Sequence, residues 1–201
     1  TCYCSLWSVL TVAVAVVLIL IYICSDKVPR LDEVIFRVDV FACKHIYLTV
    51  AFFSLQIKGK NVLITGGSSG IGLATAEEAI KRGAASVAIV ARTQRVLDEA
   101  TTKLQTLAKS LNMNTKIMNF SADVSNEEHM ARVVTEYSAA VQTIDIVVAS
   151  AGVTHPNYFQ VLPVSEFERL MRINYIGAVV TCKAVSEHMK KHNGGRIVLV
   201  A

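Results

Sequence analysis

From Lys58 onward, short runs of β-branched and aliphatic residues alternate with longer stretches in which apolar positions return every three or four residues. Such alternation predicts an α/β fold, a parallel sheet with helices covering it. Asn61 to Thr65, Ser86 to Ala91, Lys116 to Phe120, Ile144 to Ala149 and Arg196 to Ala201 read as five strands. Between them, Leu73, Ala76 and Ile80 share one helical face, and Gly83 stands where a C-terminal cap belongs. Leu97, Ala100, Leu104, Leu107 and Leu111 form a stripe on the next helix. A third helix, Asn126 to Val141, turns Met130, Val133, Val134 and Tyr137 inward. A long fourth helix places Phe167, Met171, Asn174, Ala178, Thr181 and Val185 on one face and ends near Asn193-Gly194-Gly195.

The first sixty residues have a different texture. Thr1 to Ser25 carry no charge, and Leu6 to Cys24 is nearly unbroken Val, Leu, Ile and Ala, close to the roughly 20 residues that span hydrocarbon. Trp7 and Tyr22 flank it as interfacial aromatics do. A membrane anchor is the expectation for residues 1–25, with a signal peptide as the rival. Lys27 and Arg30 follow the run, which puts the remainder on the cytosolic side. Residues 26–57 read as a linker or insertion, in which Ile46 to Ile57 is uncharged but too short to span.

Composition narrows the classes further. Hydrophobic residues make up 53% and charged residues 18%, which excludes disorder and coiled coil. The net charge of +4 is shared evenly between residues 1–60 and the rest, so no basic stripe marks a nucleic-acid binder. Five cysteines lack a framework spacing, as suits a reducing compartment. The chain opens on Thr1 and closes on Ala201 inside an apolar run, which reads as the N-terminal portion of a longer protein.

Candidate chemistry gathers at the ends of the predicted strands. Between the first strand and its helix lies Thr65-Gly66-Gly67-Ser68-Ser69-Gly70-Ile71-Gly72. Glycines at such a turn let the backbone bend and approach a pyrophosphate, and the helix N-terminus attracts the phosphate charge. No Gly-Lys-Ser/Thr follows, so a P-loop is excluded. At the end of the second strand Arg92, with Arg95 behind it, occupies the place where an acid would hold a ribose 2′-hydroxyl; arginine suits a 2′-phosphate and therefore NADPH. Asp123 either serves a ligand or caps the following helix. Asn174 is an amide on an otherwise apolar face, costly unless hydrogen-bonded. His155 reads as a solvated loop residue, and His188 and His192 as a solvated helix end, so no metal site is expected.

The spacing Gly-x-x-x-Gly-x-Gly resembles that of the short-chain dehydrogenase/reductase family, over about residues 58–201. The resemblance implies a Rossmann-type doubly wound sheet, cut after its fifth strand, that binds a nicotinamide cofactor through Gly66, Ser68, Ser69, Gly70, Ile71 and Gly72. It implies that Asp123 and Val124 meet the adenine, and that Ala151-Gly152 belongs to an Asn-Asn-Ala-Gly motif whose asparagines are here Ala149 and Ser150. It makes Asn174 the catalytic asparagine, which holds a water linked to the active-site lysine. The serine, tyrosine and lysine of the family's chemistry are then expected beyond residue 201, so residues 1–201 alone are expected to be inactive. Phe167 to Gly177 and Gly195 to Val200, preceded by an anchor, resemble most the branch that reduces the 3-keto group of long-chain sphingoid bases at the endoplasmic reticulum. A steroid, retinoid or 3-oxoacyl thioester reductase and a non-catalytic nucleotide-binding membrane protein stay open beside it, as does a homo-oligomer.

Overall fold

The computed structural model describes residues 36–38, 57–192 and 194–200. The Leu6 to Cys24 run, and all but the last residue of Ile46 to Ile57, lie outside the described residues. Among those described, no helix is long and apolar enough to cross a membrane.

The described chain runs β1 (Phe36–Val38), β2 (Asn61–Thr65), α1 (Gly70–Lys81), β3 (Ser86–Ala91), α2 (Gln94–Ser110), β4 (Lys116–Ser121), α3 (Glu127–Val141), β5 (Ile146–Ala149), α4 (Val164–Met171), a π turn (Arg172–Ile176), α5 (Gly177–Lys191) and β6 (Arg196–Val200). All strand pairs are parallel, in the order β1-β6-β5-β2-β3-β4. Successive residues of a strand point to opposite faces, so each face has its own core. Val62, Ile64, Val87 and Ile89 pack with Ala76 and Ile80 of α1 and Leu97 and Leu104 of α2. Leu63, Ala88, Val90 and Val147 pack with Met130, Val133 and Tyr137 of α3 and Val180 and Val185 of α5. Burial on both faces is why these strands read as nearly continuous apolar runs.

Several predicted details shift. The expected stripe on α2 fails at its end: Ala108 is buried, Leu111 is 41% exposed, and the helix stops at Ser110. A strict 3,4,3,4 spacing averages 3.5 residues, and a straight helix of 3.6 drifts off it within a few turns. The single long helix over residues 167–185 is instead α4, the π turn and α5, and α4 buries none of its residues. Phe167, Met171 and Asn174 are therefore exposed, while Ile173, Gly177, Val180, Thr181 and Val185 face the core. The π turn interrupts the helix between them, and ahead of it α4 has no buried face for the pattern to occupy. The fourth strand begins at Ile146 rather than Ile144, and just ahead of it Asp145 bonds to Asn61 through both backbone and side chain. The outer edge of β6 pairs with β1 in the register Phe36 to Val198, a strand the sequence pattern did not indicate.

Candidate functional site

In this order the chain winds outward from β2 through β3 to β4, then returns to lay β5 on the other side of β2. Neighbouring loops thus leave the carboxyl ends of β2 and β5 in opposite directions and open a crevice, where open parallel sheets bind ligands.

The turn after β2 forms one wall. Gly66 and Gly67 donate their N–H groups to Val90 O at 2.8 and 3.3 Å, tying the turn to the end of β3. Gly66 has φ +69°, and a Cβ there would stand 2.8 Å from the Ala151 Cα. A Cβ on Gly72 would run into the Gly66 carbonyl and the Ser150 hydroxyl. Both glycines are thus required by space. Ser68 is half-buried, whereas Ser69, Gly70 and Ile71 are exposed at the tip. The Ser69 side chain makes no capping bond to α1, whose first turn carries no acidic residue. These features leave the positive end of the α1 dipole accessible to an anion.

A second wall comes from β3 and β4. Arg92 is exposed just past β3, and its carbonyl accepts from the Ser121 hydroxyl at 3.0 Å. Arg95 is spent along its own helix, 2.5 Å from Glu99. Asp123 is not the helix cap, since Asn126 caps α3 by accepting from the His129 N–H at 3.0 Å. Asp123 Oδ1 instead accepts from the Ser125 N–H and hydroxyl at 2.9 and 2.8 Å. Partial burial pushes this carboxyl up, but the Ser125 bonds and the charges of Arg92 and His129 outweigh it and hold the group below the usual range. The carboxylate is ionised and feels the charge of Arg92 without forming an ion pair with it. Val124 is buried, and a Cβ on Gly177 would meet its Cγ2 at 2.7 Å, so its side chain packs inward and can offer a ligand only backbone.

The floor is made where β5 ends. Ser150, standing in place of an expected asparagine, donates its hydroxyl to Thr65 O at 2.5 Å, and Ala151 N–H reaches Thr65 Oγ1 at 3.3 Å. Thr65 is 1% exposed, so its polar atoms are well served by these partners. The sequence reading named both residues but not their contact, because a bond between two distant strand ends carries no local pattern. Gly152 lies beside Asn174, whose Oδ1 would be 3.4 Å from a glycine Cβ. Asn174 accepts from Val153 N–H at 2.8 Å and donates to Val153 O at 2.9 Å. The amide is exposed rather than buried, and both of its ends are engaged by backbone.

Beyond Val153, His155 is not merely solvated. Its Nδ1 lies 2.7 Å from Glu166 Oε1, and Arg169 donates to both oxygens of the same carboxylate. Hydrogen bonds from Arg169 and then His155 push the Glu166 carboxyl down to about 2. At the far end of α5 the His188 and His192 rings stack at 4.3 Å. Among the described residues no group of three or more His, Cys, Asp or Glu could hold a metal.

Residues 60–201 match the family model for short chain dehydrogenases. Over 148 residues the chain is 36% identical to the 3-ketodihydrosphingosine reductase of Bos taurus, covering 73% of this chain and 44% of that protein. It is 31% identical to a fatty acyl-CoA reductase of Acinetobacter baylyi, covering 75% of this chain and 50% of the relative. It therefore spans half or less of the length of these relatives. A short-chain type dehydrogenase/reductase from Mycobacterium ulcerans superposes with a TM-score of 0.67 at 28% identity, over 73% of this chain and 52% of that one. The NAD+-bound xylitol dehydrogenase gives 0.63 at 29%, over 73% and 54%. A glycine turn at the reversal of strand order and a family match over residues 60–201 lead to one conclusion: this chain belongs to the short-chain dehydrogenase/reductase family.

Proposed function

We propose that the chain is the nucleotide-binding part of a membrane-anchored, NADPH-dependent reductase of a long-chain lipid ketone, with 3-ketodihydrosphingosine reduced to dihydrosphingosine in sphingolipid biosynthesis. The cradle fits a dinucleotide: a Cβ on Gly66 or Gly72 would fill the space that the backbone leaves, and α1 presents an open N-terminus. One observation carries the choice of cofactor. Arg92 stands at the end of β3 beside Asp123, and no described carboxylate lies within salt-bridge distance of it. A guanidinium there pairs with a 2′-phosphate as a charge-assisted fork.

When bound, the nicotinamide supplies the hydride. The residues of this chain would hold and orient it: the Gly66 to Gly72 backbone would take the pyrophosphate, Asp123 would accept from the adenine amino group, Arg92 would take the 2′-phosphate, and Ala151 and Gly152 would serve the nicotinamide end. Asn174 serves by fixing Val153 and, in the reading the family implies, by holding a water toward a lysine beyond residue 201. Serine, tyrosine and lysine further on would orient and protonate the carbonyl, so residues 1–201 alone turn over no ketone. The support for a sphingoid substrate is the run of relatives named for that activity. An anchor over Leu6 to Cys24 would keep the enzyme at the endoplasmic reticulum membrane, into which such lipids partition, with its folded part in the cytosol.

The test is an assay of the full-length protein with NADPH or NADH against 3-ketodihydrosphingosine, a steroid ketone, a retinoid and 3-oxoacyl and acyl thioesters. Turnover of the sphingoid ketone with NADPH preferred is expected. Arg92→Asp should shrink the preference about tenfold or more. Equal use of both cofactors by the parent protein, or a thioester as the better substrate, would overturn the reading. Alkaline carbonate extraction and protease protection in sealed microsomes check the anchor: release of the intact chain, or a protected glycine-rich domain, would remove it.

A further inference from the structure

The loop from Val153 to Pro163 departs from the cofactor crevice and is fastened to the next helical segment at three points. Val153 is held at both backbone groups by Asn174. His155 meets Glu166 at 2.7 Å. Phe159 meets Phe167 edge-to-face, with ring centroids 5.7 Å apart. The contacts run in order, polar nearest the crevice and aromatic farther away, and Glu166 and Phe167 are consecutive on α4. Beyond the histidine the surface is apolar: Phe159 is 77% exposed, Val164 73% and Met171 58%. Val164, Phe167 and Met171 recur at helical spacing on one side of α4, and Phe159 covers Phe167 from the loop, so these exposed groups are neighbours of the kind that suit an apolar ligand.

The chemistry of His155 follows from its neighbour. A carboxylate only accepts, so the Nδ1 facing Glu166 carries the proton, and in the neutral ring the lone pair is on Nε2. Glu166 stays ionised throughout the physiological range, which fixes that tautomer. Arg169 offsets the charge of the carboxylate, so what remains outward is a directional acceptor on a half-exposed ring rather than a net negative field.

We propose that His155 Nε2 receives the head-group ammonium or hydroxyl of an amphiphilic ketone, whose alkyl chain then lies over Phe159, Val164, Phe167 and Met171. The inference rests on the lipid-ketone reading above and adds the residues that select the lipid. An amphiphile is the occupant because one acceptor sits at the crevice end and the apolar surface runs away from it, which is the polarity order of such a molecule. Continuity with the crevice through Val153 supports the same occupant.

The experiment compares two ketones of equal chain length in the full-length protein, a 2-amino-1-hydroxy-3-ketone and the same ketone without amino or hydroxyl groups. His155→Ala should raise KM for the amino ketone about tenfold, the usual scale for losing one charge-assisted hydrogen bond, with KM for NADPH unchanged. The plain ketone should change less than about twofold. His155→Gln, whose amide oxygen can still accept, should recover most of the loss. Phe159→Ser should weaken both ketones together and more for longer chains. If His155→Ala lowers both ketones alike, the residue only supports the loop and the inference falls while the proposed function stands. The inference falls equally if the variant changes neither. If the parent protein reduces neither ketone, the function falls and takes this inference with it.

Discussion

The two ends of the sheet are built to opposite rules. At the amino ends of the strands, polar side chains are knotted together. Asn61 N–H donates to Asp145 Oδ2 at 2.8 Å, its Nδ2 donates to Thr143 O at 2.9 Å, and its Oδ1 accepts from the Ser86 hydroxyl at 2.8 Å. The Tyr137 hydroxyl lies 2.6 Å from the Ser86 hydroxyl and 3.1 Å from Val62 O, and its one proton serves one of the two at a time. Burial first, and the Asp145 charge after it, raise the Tyr137 phenol far above its ordinary range, so it stays a neutral partner. At the carboxyl ends, glycine replaces side chains and α1 starts without a side-chain cap. Satisfied polar groups hold the fold together at one end, and donors left accessible at the other can serve a ligand.

The sharpest way to break this contrast is Gly72→Val. A side chain driven into the Gly66 carbonyl should weaken nucleotide binding by about 100-fold or more, measured by quenching of protein fluorescence, since binding depends on backbone approach. Near-normal affinity would show that the turn is not the cradle. Tyr137→Phe is the complementary change. It should lower unfolding free energy by about 1–3 kcal/mol in urea denaturation and leave nucleotide affinity alone, because Ser86 and Val62 lose a buried partner. A fall in affinity at constant stability would blur the two ends into one.

Acidification probes the loop clasp. Because the Glu166 carboxyl is depressed to about 2, its bonds to Arg169 and His155 are fully present above the ordinary carboxylate range and are lost only as pH falls through about 2. A carboxyl carbon NMR titration should place the midpoint there, and a midpoint near 4.5 would mean that the clasp is open in solution. The smallest effect is expected for Lys60→Met. Its 3.0 Å pair with Asp145 is solvent-exposed on the lysine side and should contribute less than about 1 kcal/mol.

What could be read from sequence was what repeats locally. β2, β3 and the inward face of α3 stand where their apolar patterns place them, because each burial pattern is set within one element. The glycine turn was legible for the same reason, as a contiguous motif. Misplaced features depend on accumulation or distance. Leu111 lost its place through small angular drift over α2, and Phe167 and Met171 because α4 lies ahead of the π turn with no face buried. The Ser150 to Thr65 bond joins residues 85 apart, and His155 and Glu166 are joined across 11 residues of loop and helix start. Neither spacing has a period for a pattern to reveal.

The π turn at Arg172–Ile176 also makes the length of this segment a control on orientation. Behind it, Gly177 is locked against Val124, so α5 cannot rotate freely. Any residue gained or lost within the turn must be absorbed on the other side, by α4. Each α-helical residue is worth about 100° of rotation, so a one-residue deletion would swing Phe167 and Glu166 away from their partners on the loop. The turn acts as a vernier: chain length there sets which part of α4 faces the crevice, without any substitution on α4 itself.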